Sequence, residues 1–370
     1  MPDFFIKVLS WFNAQPDINR MGFLSSFFKV TPESFTDATE IEIDLVRSGE
    51  EVAPVVRDLS TGATAIVNDY FDQGKVPFPV YALEKSVNIS ELMIRQPGET
   101  AYITEKADWL GRLAKRLVSG FTKMTDMIKR SIELQAAQVL TTGTFQLTDE
   151  KGNVVYRQLD LRAKSTHFPT VARSWDDYSN PNALPDPIGD ITALADTIRA
   201  DGLCDVKNLI MDDKSLENFL RSERVQRDLK LDGLRLGALN PAIKGKGAKY
   251  YGYIHVGSNL FDIWVYSATY NPFGSRETKK YLPENRVIFL PDFEDLDFRR
   301  LFGGIPMVRP DTTFDQIFGA SKVTIDGAYD FKARVYWDQK ADTYTGEIKS
   351  RPLCLPVSID RFGCLATKVA

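Results

Sequence analysis

From about Ala107 to Thr141, apolar residues recur at steps of three or four: Leu110, Leu113, Leu117, Phe121, Met124, Ile128, Ile132, Ala136 and Val139. That is the period of one helix face. Arg112, Lys115, Arg116, Lys123, Asp126, Lys129, Arg130 and Glu133 fill the other side. Thr104 or Asp108 is placed to cap the start, and Gly143 to supply the left-handed residue past the end. At 1.5 Å per residue the predicted helix is roughly 50 Å long. Gly111 and Gly120 each weaken it by about 1 kcal/mol relative to alanine, so a bend can form there.

Before this helix the pattern is strand-like. Ile41–Leu45 alternates strictly, the signature of a half-buried strand. Residues 48–90 have no helical period, only short β-prone pieces at Val52–Arg57, Thr64–Val67 and Val76–Leu83, which predict a long two-stranded loop. After the helix, Thr144–Leu147 and Val154–Leu159 flank a Gly152-Asn153 turn, a hairpin signal. Residues 163–188 read as loop, with a domain boundary near Pro187. Asp190 is placed to cap a short helix through Ile198, Leu209–Met211 reads as a buried strand, and Lys214–Leu229 as another helix. Strands are then expected at Tyr251–Val256, Leu260–Tyr266, Arg286–Leu290, Val323–Ile325, Phe331–Trp337, Tyr344–Lys349 and Phe362–Val369.

Composition changes this picture little. Hydrophobic residues make up 43% and charged residues 26% of 370, as in a folded chain rather than a disordered one. The formal net charge of −4 argues against a surface that binds nucleic acid everywhere, though not against a local basic patch. Three cysteines (Cys204, Cys354, Cys364) without a close pair fit no disulfide framework. No apolar run reaches the eighteen or so residues that span a bilayer, so no membrane partner is expected. Residues 1–30 hold Phe4, Phe5, Trp11, Phe12, Phe23, Phe27 and Phe28. Asp3 and the polar breaks after it speak against a signal peptide. So apolar a segment buries itself, either on its own domain or across a neighbouring subunit.

Catalytic templates mostly fail. There is no Gly-x-x-x-x-Gly-Lys-Ser/Thr loop and no Gly-x-Ser-x-Gly elbow, and Gly245-Lys246-Gly247 reads as a basic loop. His167 and His255 are isolated, so zinc is not expected. Asp292, Glu294, Asp295 and Asp297, with Asp212-Asp213, form acidic groups that would suit a divalent ion, yet no lysine or histidine is placed beside them. Arg221, Arg224 and Arg227 share a helical face, but interleaved acids make an ordinary charged surface the simpler reading. No cofactor, metal or catalytic residue is expected. An apolar arm, a long β-loop and a long helix without site chemistry point to a protein whose function is contact.

Several stretches resemble one family. Tyr266-Ser267, Tyr270, Lys279-Lys280-Tyr281-Leu282-Pro283-Glu284-Asn285 and Val287 are similar to the signature region of the phage lambda-type major capsid proteins (capsid protein E). Glu133-Leu134-Gln135-Ala136, Val139-Leu140 and Gly143, Phe27-Phe28-Lys29 with Phe35-Thr36, and Trp337 with Ser350-Arg351-Pro352-Leu353 resemble further parts of that family, in order. The resemblance implies an α+β chain of the Hong Kong 97-type capsid fold. An N-terminal arm would cover residues 1–48 and an extended E-loop 49–88. A peripheral domain with the long spine helix would take 89–186 and 325–358, and an axial domain 187–324 and 359–370. It implies a non-enzymatic major capsid protein of a tailed double-stranded DNA bacteriophage, forming hexamers and pentamers of an icosahedral shell. Portal, scaffold and decoration proteins would be its partners, with packaged double-stranded DNA on the inner face. It would be assembled in the host cytoplasm and reside in the virion. Some members of the wider fold crosslink a lysine to an asparagine. Lys75 and Lys85 lie in the loop, but no motif marks a crosslink and none is predicted.

On this reading Phe4, Phe5, Trp11, Phe12, Phe27, Phe28, Tyr70, Phe71 and Phe78 are candidate subunit contacts, and Gly49, Gly98 and Gly111 candidate hinges. Three rivals stand beside it: a cellular protein-compartment shell of the same fold, a metal-dependent nuclease or hydrolase using the Asp292–Asp297 cluster, and a tail or baseplate protein.

Overall fold

The structure is a computed structural model. It describes residues 22–38, 40–47, 70–88, 109–148, 154–160, 163–179, 184–226, 242–243, 247–257, 259–309, 322–326, 330–338 and 343–369. The first strands are β1 (Glu40–Arg47), β2 (Tyr70–Pro77) and β3 (Tyr81–Asn88), followed by helix α1 (Trp109–Thr142) and the hairpin β4 (Thr144–Thr148) with β5 (Val154–Asp160). Then come α2 (Pro187–Gly202), β6 (Val206–Met211), α3 (Asp213–Arg221), β7 (Ala242–Ile243), β8 (Ala248–Val256), β9 (Asn259–Tyr266), β10 (Thr269–Tyr270), β11 (Lys279–Lys280) and β12 (Arg286–Pro291). The chain continues through β13 (Phe298–Phe302), β14 (Ile305–Arg309), β15 (Lys322–Asp326), β16 (Lys332–Asp338), β17 (Thr343–Ser350), β18 (Pro352–Pro356) and β19 (Gly363–Ala366).

Helix α1 runs unbroken through Gly111 and Gly120. Its predicted apolar face from Leu113 to Val139 is buried. Gly143 ends it in the left-handed region (φ 67°), with its N–H donating to the Val139 carbonyl at 2.8 Å. The expected start caps lie outside the described residues. Over the buried face lies a three-stranded antiparallel sheet in the order β16-β17-β3. β13 and β18 form a second antiparallel pair, and β18 also lies along α1.

A six-stranded sheet, β19-β12-β6-β9-β8-β7, forms the middle layer. Its β6 and β9 run parallel and its other neighbours antiparallel. Strand alternation decides which side each residue serves. Leu209, Met211, Val287, Phe289 and Leu365 join a core with α2 and α3. Ile210, Ile288, Leu290 and Cys364 join the core of α1. One sheet thus ties two cores into one body.

Several expectations are corrected. β2 ends at Pro77 and β3 begins at Tyr81, so the single piece Val76–Leu83 is two strands. Pro77 and Pro79 lack the N–H a continuous ladder needs, and Phe78 between them turns into the core. β2 pairs with β1, from Glu40 opposite Pro77 to Arg47 opposite Tyr70, whereas β3 pairs with β17. The described part of the two-stranded ribbon is therefore 40–47 with 70–77, and β3 leaves it. Asp186, not Asp190, caps α2, accepting from Gly189 N–H at 3.1 Å, with Pro187 in the first turn, where its missing N–H is harmless. Asp190 instead accepts from the Trp175 indole N–H at 2.9 Å. The expected helix Lys214–Leu229 is broken once: α3 ends at Arg221, Ser222 is extended (ψ 127°), and a further helical turn covers 223–226. β13 and β14 were not expected, since Arg299-Arg300 and Pro306 mask their alternation. β13 packs with the α1 core rather than with the six-stranded sheet's other face, while Val171 and Trp175, before the expected boundary at Pro187, belong to the α2 core.

Candidate assembly surfaces

The first described residues are fastened to α1. Phe23, Leu24, Phe27 and Phe28 are buried around a short 3-10 turn, Leu24–Phe27. Phe23 packs on Trp264 and Tyr266 with ring centres 5.4 and 5.6 Å apart, and Phe28 on Phe298 at 5.2 Å. The turn's open N–H groups need an acceptor, and Glu133, fully buried on α1, supplies it. Its carboxylate accepts from Leu24 N–H at 2.8 Å, Ser25 N–H at 2.9 Å and the Tyr266 hydroxyl at 2.6 Å. Burial, reinforced by the Glu133 charge, raises the Tyr266 hydroxyl far above its usual range, so Tyr266 is a permanent donor. Beyond the turn, Lys29 N–H donates to Phe298 O at 2.8 Å, Thr36 N–H donates to Phe302 O at 3.0 Å, and Phe35 stacks on Phe302 at 5.2 Å. The segment is laced along β13.

This corrects three candidate contacts. Phe27, Phe28 and Phe78 are buried in this chain's own core, so they hold the arm and ribbon in place instead of reaching a neighbour. Tyr70 and Phe71 stand on β2, opposite Arg47 and Val46. Phe4, Phe5, Trp11, Phe12, Gly49 and Gly98 lie outside the described residues. Gly111 sits in the continuous start of α1. Exposed apolar side chains occur outside the candidate contacts: Val30 and Phe35 beside β13, Val80 between β2 and β3, and Trp337 near the end of β16.

The acidic groups are dispersed. Asp292 pairs with Lys207, Asp297 accepts from Arg299 at 2.9 Å, and Asp212 caps α3 through Lys214 and Ser215 N–H. The Lys207 ammonium beside Asp292 holds its carboxyl below the usual value. Among the described residues no group of three or more potential ligands is placed to hold a metal. Arg221 lies 3.8 Å from Glu217 and Arg224 pairs with Asp186; Arg227 lies outside the described residues. His167 is buried, its ring nitrogens facing the Phe362 carbonyl at 2.8 Å and Asp201 at 3.0 Å. All three cysteines are free, and burial pushes the Cys204 thiol up to about 11 and those of Cys354 and Cys364 to about 12. These thiols are unreactive at neutral pH.

The model of one family, described as phage major capsid protein E, matches residues 9–362. The chain belongs to the phage major capsid protein E family. No curated protein sequence matches it. Among solved structures, it is similar to a prophage protein of E. coli CFT073 assigned as a capsid protein, at 14% identity and TM-score 0.59, covering 98% of each chain. A phage-related protein of Bordetella bronchiseptica RB50 gives 13% identity and TM-score 0.46, over 100% of this chain and 98% of that one. The capsid of cyanophage P-SCSP1u gives 9% and 0.45, over 92% and 86%. The fold is the Hong Kong 97-type capsid fold, in an α+β chain. The major capsid protein is a structural protein of the virion, not an enzyme, and it assembles with itself into a shell.

Proposed function

We propose that the chain closes into an icosahedral shell of hexamers and pentamers around the double-stranded DNA of a tailed bacteriophage. The observation that carries this is the family match over 9–362. Residues 1–21 would lie on neighbouring subunits, and the β1–β2 ribbon would serve as the E-loop. The body around α1 would be the peripheral domain, and the six-stranded sheet with α2 and α3 the axial domain. The described residues support a division of this kind with three amendments: β1 goes with β2 in the ribbon, β13 goes with α1, and residues 170–175 go with α2. Neighbouring copies would cover Val30, Phe35, Val80 and Trp337, because obligate interfaces of this class are apolar and exceed about 2,000 Å². Shell closure makes late contacts effectively intramolecular, so modest contacts suffice. During expansion the chain would bend at Gly49, Gly98 and Gly111, a few positions absorbing the dihedral change. Portal, scaffold and decoration proteins complete the head, assembled in the host cytoplasm.

Negative-stain electron microscopy with light-scattering mass, over a concentration series, tests this. Rings or closed shells are expected. Open tubes would support a tail protein instead, and shells holding protein without DNA a cellular compartment.

A further inference from the structure

The exposed side of α1 faces away from the sheet β16-β17-β3. Along it run Arg112, Lys115, Ser119, Lys123, Asp126 and Arg130, at the helical spacing of one row. From Arg112 to Arg130 the row is about 27 Å long. Four of its six residues are cationic and one is acidic. Lys115, Lys123 and Arg130 are exposed and make no ion pair with another described residue. Among the described side chains, no exposed large apolar one lies on α1; the β10–β11 hairpin carries one, Phe273. The end of the row opens into a cleft of about 450 Å³ lined by Arg130, Thr269, Tyr270, Asn271 and Thr278. The β10–β11 hairpin that forms its far wall adds exposed Arg276 and Lys279 against one acid, Glu277. In a chain of net charge −4, cations are segregated here.

We propose that this row and the Arg130 cleft form the surface that contacts duplex DNA, through its phosphates and without reading sequence. The proposal rests on the shell reading and assigns the genome-facing surface to the bare side of α1. The chemistry favours nucleic acid over another protein copy. Protein interfaces carry an apolar or aromatic centre, which this row lacks. A duplex presents one negative charge per about 1.7 Å of axis and binds a row of cations by releasing counterions. A guanidinium fork flanked by threonine hydroxyls and an asparagine amide is a phosphate-binding set. Burial raises the Tyr270 hydroxyl above its usual range, which keeps it a neutral donor. Base edges would not be read, because a helix laid along the backbone by its cations positions without specifying.

The test uses full-length capsomers dissociated from shells and a short fluorescent duplex, with binding followed by anisotropy across salt concentration. The triple variant Lys115→Gln, Lys123→Gln, Arg130→Gln should form the same shells as the parent. Its slope of log K against log salt should be shallower by roughly 3, since each lost phosphate contact removes about 0.9. Duplexes of unrelated sequence should bind the parent equally. An unchanged slope overturns the proposal. A second readout needs no variant: acylation of Lys115 and Lys123 in parent shells, mapped by mass spectrometry. DNA-filled shells should protect both lysines and empty shells leave them open. Full protection in empty shells means that another copy covers the row, and overturns the proposal. Duplex binding lost in the triple variant, in a protein that never forms shells, would sink the shell reading while leaving the row as a DNA surface.

Discussion

Glu133 ties two distant segments to α1. It is a fully buried carboxylate whose cost is offset by three donors from two distant segments. Glu133→Gln keeps the shape but turns an NH₂ toward a backbone N–H. We expect a loss of about 2–3 kcal/mol in urea unfolding of dissociated protein; a neutral result would mean that the carboxylate is not the arm's anchor. Two glycines on the α1 contact divide in the opposite sense. A Cβ on Gly346 would lie 2.9 Å from the Phe121 ring, a rigid core neighbour. Gly346→Ala should therefore destabilise by about 1–3 kcal/mol. A Cβ on Gly120 meets only the Lys85 chain, at 3.1 Å, and that exposed stem can move aside. Gly120→Ala should gain up to about 1 kcal/mol from helix propensity. Thermal melts of the two variants should move in opposite directions.

Between elements, ties of high sequence separation hold the layers. Asp201 on α2 accepts from Lys164 at 2.6 Å and faces the His167 ring, whose other nitrogen faces the carbonyl before β19. One carboxylate thus joins the 163–170 segment to α2, and through His167 to β19. The hydrogen bond from Lys164 holds its carboxyl below the ordinary value of 3.8. A carboxyl depressed by folding contributes stability above its unfolded value, and that contribution is lost as pH falls through the folded one. The parent should therefore lose stability below about pH 4 more steeply than Asp201→Asn, while at neutral pH the variant should be weaker by about 1–2 kcal/mol. Urea midpoints between pH 3 and 7 check both; parallel curves would remove Asp201 from the account. At this scale α1, α2, β1 and the β4–β5 hairpin were legible, because each follows a local period or turn signal. β13 was not, because its burial comes from the N-terminal segment and β18 rather than from alternation.

At the scale of the whole molecule, the buried Phe23–Phe28 segment separates two truncations. Removing residues 1–21 should leave a folded chain that fails to build shells, if those residues act on neighbours. Removing 1–30 also deletes Phe23, Leu24, Phe27 and Phe28, each worth about 2–5 kcal/mol to the core. That sum reaches the whole stability of a typical domain, so the longer truncation should not fold. Circular dichroism with electron microscopy distinguishes the two, and normal shells from the shorter form would refute the arm's role. By itself the sequence determined the long helix, most strands, the want of catalytic motifs and the family, because periodicity and local signatures are properties of neighbouring residues. Only the tertiary structure decided which apolar residues are spent inside. A pattern says that Phe27, Phe28 and Phe78 must be buried, but not whether their own chain or another buries them. The same limit hid Glu133, whose partners at Leu24 and Tyr266 lie 109 and 133 residues away. Its charge looked like one more residue of a solvated face until the layers closed around it.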